Sequence, residues 1–121
     1  MGILTRSLAY LGAAVIAVML VAWGFPEYGI DFAYRGHPFR FQYVNVDGQS
    51  FRLMPYMLDT VIFLLPVALV CWIVERKLQR RGVLARQLEA GRLSIILAAT
   101  ILLFWLAASI MLDQSCYFRW N

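Results

Sequence analysis

The chain has 121 residues, 62% of them hydrophobic, with a mean hydropathy of +0.69 and a formal net charge of +4. A soluble domain carries about 45–50% apolar residues. The excess here excludes an ordinary soluble fold and points to one small membrane domain, because three spans of about 20 residues leave little material for a water-surrounded core. The basic sequence pI of about 9.4 does not imply nucleic acid: the positive charge gathers where orientation signals belong, and no basic-aromatic binding motif accompanies it.

After a short head with one charge, Arg6, the first apolar run covers Leu8–Gly24, 17 residues without a charge. That is the short end of a spanning helix. Ala9, Ala13 and Ala17 recur every four residues and so share a face, and small residues at this spacing admit a neighbouring helix. These three are the candidate helix-contact residues. Trp23, Phe25 and Tyr28 mark a membrane–water boundary. The same run also has the outline of a signal peptide, with Ala22-Trp23-Gly24 as a cleavage site, but the weakly charged head and bulky Trp23 favour a retained span.

Residues 25–55 form the longest stretch outside the apolar runs. Its charges cancel, with Arg35, Arg40 and Arg52 against Glu27, Asp31 and Asp47. Lacking a positive excess, it is free to cross to the outside. Within it, Arg40–Met54 reads as a short β-hairpin turning at Asp47-Gly48, since Asp-Gly suits a two-residue type I′ turn. That register pairs Val46 with Gln49, Val44 with Phe51 and Tyr43 with Arg52. Val44, Val46, Phe51 and Leu53 then share one face, and Phe41, Tyr43, Arg52 and Met54 the other. An isolated hairpin is marginal in water, so it is expected to rest on the membrane surface, the helix ends or a partner.

The second run covers residues 56–74. Pro55 suits a first helical turn, Asp59 favours the positive helix end, and Pro66, lying mid-run, is expected to kink the helix. Residues 75–92 follow as a basic loop. They hold six of the eleven Lys and Arg residues and two of the seven acids, a net +4 that equals the charge of the whole chain. Arg76, Lys77, Arg80, Arg81, Arg86 and Arg92 are therefore the topology-setting residues, because Lys/Arg-rich loops stay cytoplasmic. Gly82 is expected to stop the second helix. The third run, 93–112, is 20 residues without a charge, and a tail of 113–121 carries Tyr117, Phe118 and Trp120 as an interfacial anchor.

The resulting expectation is an all-α membrane protein of three transmembrane helices (8–24, 56–74, 93–112), with an outer loop containing a short β-hairpin. The N-terminus lies in the cytoplasm and the C-terminus outside. Arginine outnumbers lysine ten to one, a composition compatible with a GC-rich bacterial source and hence with a bacterial inner (plasma) membrane.

Chemistry is sparse. His37 is the one histidine, and in a polar loop it reads as a solvated or capping residue. No phosphate loop, CxxC pair or HExxH motif occurs. Cys71 and Cys116 have no metal or redox spacing. Neither catalytic nor cofactor-binding nor metal-ligating residues are expected, and the chain is not expected to be an enzyme. The expected partners are the lipid bilayer and another membrane protein or a second copy of the chain. The function this implies is association, as an accessory subunit of a membrane complex or as a homo-oligomer. The alternative is a small transporter, channel or exporter component, suggested by Pro66 and the span count.

Overall fold

The computed structural model describes residues 2–37, 39–45, 48–112 and 116–119. Three helices account for most of the chain: α1 (Gly2–Gly24), α2 (Leu53–Arg80) and α3 (Ala85–Leu112). All three are long and apolar enough to cross a membrane. At one end sits a small sheet of five strands in chain order: β1 (Glu27–Gly29), β2 (Phe32–Arg35), β3 (Gln42–Asn45), β4 (Gly48–Arg52) and β5 (Cys116–Arg119). The first four are antiparallel neighbours, and β5 joins β4 in parallel.

Helix α1 is the centre of the bundle. It packs along both α2 and α3, which pack far less on each other. Gly12 permits the close approach to α3, since a Cβ there would lie 3.1 Å from the Cβ of Ala99. Ala9, Ala14, Val15, Val18, Met19 and Ala22 are buried along α1. By contrast α2 leaves Val61, Leu65 and Leu69 exposed at intervals of four, and α3 does so with Leu93, Leu97 and Ile101.

The α2–α3 connection is a tight helical hairpin. The Gly82 N–H donates to the Gln79 carbonyl and the Val83 N–H to the Leu78 carbonyl, both at 3.1 Å, with Gly82 at φ +86°. This is a Schellman motif, in which a left-handed residue just past the helix satisfies its last carbonyls. Across the turn, the Leu84 N–H donates to Gln87 Oε1 at 3.2 Å, the half of a capping box in which the third helical residue reaches back. The expected stop at Gly82 is present. The expected long basic loop is not: residues 75–80 extend α2 and 85–92 open α3, leaving Arg81–Leu84 as the whole turn.

The sheet corrects the all-α expectation. The stretch between α1 and α2 folds as two linked hairpins rather than one. In the first, Ile30 and Asp31 link β1 to β2, with Asp31 at φ +67°, a conformation that Asp tolerates better than most residues. The second hairpin has a different register from the expected one: Gln42 opposes Phe51, Tyr43 opposes Ser50, Val44 opposes Gln49 and Asn45 opposes Gly48. Gly48 is therefore the first paired residue of β4. Val46 and Asp47 connect the strands and lie outside the described residues. The physical reason is the start of α2. The expected register needs strand pairing out to Met54, but the helix begins at Leu53, and the ladder closes where the Arg52 N–H donates to the Phe41 carbonyl at 2.7 Å. The slip is by two residues, so Val44 and Phe51 still share a face.

The C-terminal segment is likewise a strand rather than a free anchor, at least over Cys116–Arg119. A parallel neighbour needs a long crossover, and here the whole α2–α3 hairpin supplies it. Asp113 and Trp120 lie outside the described residues.

Candidate functional site

Two polar or aromatic clusters terminate the bundle, one at each end. At the basic end the centre is Glu75 of α2. Its Oε1 accepts from Arg92 Nε at 2.9 Å, and its Oε2 accepts from the other arm of the same guanidinium at 3.1 Å. Oε2 also accepts from the Tyr10 hydroxyl at 2.9 Å and meets Arg6 at 3.4 Å. Arg92 reaches Glu89 at 3.5 Å as well. One carboxylate thus ties all three helices, with side-chain exposure of 12% for Glu75 and 13% for Arg92. Such two-armed, charge-assisted pairs are geometrically demanding. Both acids at this end are engaged by Arg92. Sequence reading assigned Arg92 to topology alone and missed the cluster; the signal available was a lone acid at the end of an apolar run.

At the sheet end, aromatic rings seat the strands on the helices. Phe41 is fully buried and Phe51 nearly so. The Phe41 ring meets Tyr56 edge-on at 5.0 Å, Phe51 at 5.7 Å and Trp23 at 6.2 Å, distances typical of favourable aromatic pairs. Trp23 in turn meets Trp105 of α3 at 5.8 Å. Gly36, at φ +123°, makes room for this cluster: a Cβ there would collide with the Phe39 carbonyl oxygen and the Phe41 ring. Arg35 stacks over Trp23 at 4.9 Å and donates to Gln42 Oε1 at 3.0 Å. Burial lowers the Arg35 guanidinium below its ordinary value.

The loop between β2 and β3 is pinned twice. His37 Nε2 lies 2.8 Å from the Phe25 carbonyl; a carbonyl only accepts, so the bond places the proton on Nε2. The Phe39 N–H donates to Asp59 Oδ1 at 2.9 Å. Asp59 is fully buried, and its Oδ2 has no partner among the described residues. The Tyr56 hydroxyl, one turn earlier, is buried and has no partner among the described residues. Beside Tyr56 a groove of about 550 Å³ opens between α2 and α3, with apolar walls that include Leu53, Leu103, Leu106 and Ile110. Phe51 and Phe118, stacked at 6.1 Å, line its sheet end.

Of the helix-contact candidates, Ala9 is buried while Ala13 and Ala17 are half-buried, all inside α1. Burial on this helix is shared with Gly12, Ala14 and Ala22, because α1 is flanked on two sides and not one. Pro66 sits within α2, which continues on both sides of it. Arg76, Lys77 and Arg80 ride the last turns of α2, Arg81 caps it, and Arg86 opens α3. Arg76 lies over the Trp72 ring at 5.0 Å. Cys71 is a half-buried free thiol. Among the described residues, no three His, Cys, Asp or Glu side chains come together as a metal site would require.

Comparison with protein-family models, with curated proteins and with solved structures returns no match to this chain. What the fold defines is a mostly helical protein, with three helices able to cross a membrane and a small sheet at one end.

Proposed function

We propose that this chain is a small, non-enzymatic integral membrane protein that works by association, as an accessory subunit of a membrane complex or as a homo-oligomer. The sheet end faces outward and the basic end faces the cytoplasm of a bacterial inner membrane, following the Lys/Arg bias. The observation that carries the reading is the unequal burial of the three helices. Helix α1 is the most covered of the three by its own neighbours, while α2 and α3 turn the stripes Val61–Leu65–Leu69 and Leu93–Leu97–Ile101 away from the bundle. Each stripe is an uncovered apolar face that lipid or the apolar face of another membrane helix can cover through van der Waals contact.

The test is gentle detergent extraction at native expression level, followed by affinity capture and intact-complex mass measurement. A stoichiometric second protein, or a defined multiple of this chain, is the expected result. Replacing Leu65 and Leu97 by Trp should reduce that stoichiometry. A bare monomer unaffected by those changes would refute association. A second reading, a small transporter or channel component, draws on Asp59, a carboxylate fully buried within a helix able to cross a membrane; ionisable groups so placed often mark solute paths. Solute flux in liposomes that is lost in Asp59→Leu would favour it.

A further inference from the structure

We infer that the exposed face of α2 from Leu65 to Arg80 holds an anionic phospholipid, with a chain along Leu65 and Leu69 and the phosphate between Arg76 and Arg80. The inference rests on the membrane reading above but not on association, since a second helix seated on the α3 stripe leaves this face of α2 to lipid. Three observations lead to it.

The first is uncompensated charge. Residues 75–92 carry two acids, Glu75 and Glu89, and Arg92 engages both. Arg76, Lys77, Arg80, Arg81 and Arg86 are all exposed, and among the described residues none of them forms a salt bridge. Five cations thus gather around one tight turn, and a cluster of that sign attracts anionic headgroups.

The second is the order of side chains along the helix. Leu65, Leu69, Trp72, Arg76 and Arg80 follow at intervals of three or four residues, so they lie on one face. Every one of them is exposed. The face is apolar, then aromatic, then cationic, which is the order a phospholipid presents from chain to phosphate. The Arg76 guanidinium lies over the Trp72 ring at 5.0 Å, and Trp favours the boundary between hydrocarbon and headgroups. On α3 the order recurs without the ring: Ile101, Leu97 and Leu93 are exposed, and so is Arg86 seven residues before Leu93. An acidic protein at the membrane surface would account for the cations but not for the apolar run that continues them.

The third is length. Leu65 to Arg80 is about 22 Å of helix at 1.5 Å per residue. One leaflet, half of a bilayer of about 40–45 Å, is about 20–22 Å thick. The face therefore matches a single lipid. Guanidinium forks suit phosphate, offering two parallel N–H donors, and Arg76 and Arg80 stand one turn apart, close enough to share one phosphate. In a zwitterionic lipid the same cations repel the ammonium beside that phosphate. An anionic headgroup carries no such offset.

The test uses the full chain in mild-detergent micelles holding equal amounts of phosphatidylglycerol and phosphatidylcholine with identical chains. Intact mass measurement counts each retained lipid. The expected result is a preference for phosphatidylglycerol of about five- to tenfold, where one cation near a charged surface supplies roughly fivefold. Arg76→Gln combined with Arg80→Gln should bring the ratio below about two. Arg40→Gln combined with Arg52→Gln removes the same charge at the sheet end and should leave the ratio unchanged. Raising the salt from about 0.02 to about 0.2 M should weaken the preference of the unaltered chain, a readout that needs no variant to fold. Equal retention of the two lipids by the unaltered chain would overturn the proposal, as would a preference that survives in the Arg76 and Arg80 pair or falls equally in the sheet-end pair. So would displacement of the lipid by millimolar glycerol phosphate, which has the phosphate but no chain. A chain that stays soluble without detergent would overturn the membrane reading as well, whereas equal retention by a chain that needs detergent would overturn this inference alone.

Discussion

Replacing Glu75 by Gln tests whether one carboxylate holds the basic end of the bundle together. The change preserves size but removes the charge that both arms of Arg92 address, at 2.9 and 3.1 Å, and that Tyr10 and Arg6 share. Removing one partner of a buried ion pair costs about 3–5 kcal/mol, whereas an exposed pair is worth about 0–1 kcal/mol. Glu75 and Arg92 keep 12% and 13% of their side-chain exposure, and Glu89 remains 3.5 Å from Arg92. The expected loss is therefore below the buried figure, about 2–3 kcal/mol. The amide would also turn an N–H toward one of its former donors. Unfolding by a denaturing detergent in mixed micelles, followed through tryptophan fluorescence, measures the change. Arg92→Gln should cost a similar amount, and the double variant less than the two together, with a coupling of about 1.5 kcal/mol. A loss under about 0.5 kcal/mol for Glu75→Gln, or strict additivity in the double variant, would show that the cluster behaves as a solvated surface pair.

Phe41→Ala should cost about 3–5 kcal/mol, because the ring is fully buried between sheet and helices and its removal leaves a cavity there; the same unfolding titration reads it. Asp59→Asn keeps an acceptor for the Phe39 N–H and should change stability by less than about 1 kcal/mol. Asp59→Leu strands that part-buried donor and should cost about 1 kcal/mol, with hydrogen exchange at Phe39 accelerated in the leucine variant only. Neutralising Arg76, Lys77, Arg80 and Arg81 together should weaken or invert the orientation of the chain. A C-terminal reporter that stays on its original side would assign orientation to the apolar runs instead.

Some of this structure is local in origin and was legible in the residues. Three apolar runs need no tertiary information to become helices long enough for a membrane, because composition and length suffice. Gly82 ends α2 through its own left-handed backbone and two bonds to the preceding turn, all within six residues. Pro55 entered a first helical turn as its missing N–H allows. That β3 and β4 form a hairpin was legible from short-range alternation and the nearby Asp-Gly.

What the local signals could not decide depended on neighbours distant in the chain. The hairpin register was set by where α2 begins and by the need to seat Phe41 and Phe51 on Tyr56 and Trp23, which overrode the turn preference of Asp47-Gly48. Strand β5 has almost no signal of its own; it becomes a strand because β4 offers an edge and α3 delivers the chain there. Residues 75–80 and 85–92 read as loop from their charge, yet charge opposes helix only weakly, and Glu75 finds Arg6, Tyr10 and Arg92 once three helices meet. The alanine stripe told that α1 would be packed closely but not by what, since period and residue size are properties of one helix. The groove beside Tyr56 is the clearest case: β4, the start of α2, α3 and β5 line it together, and no single segment encodes a space between others.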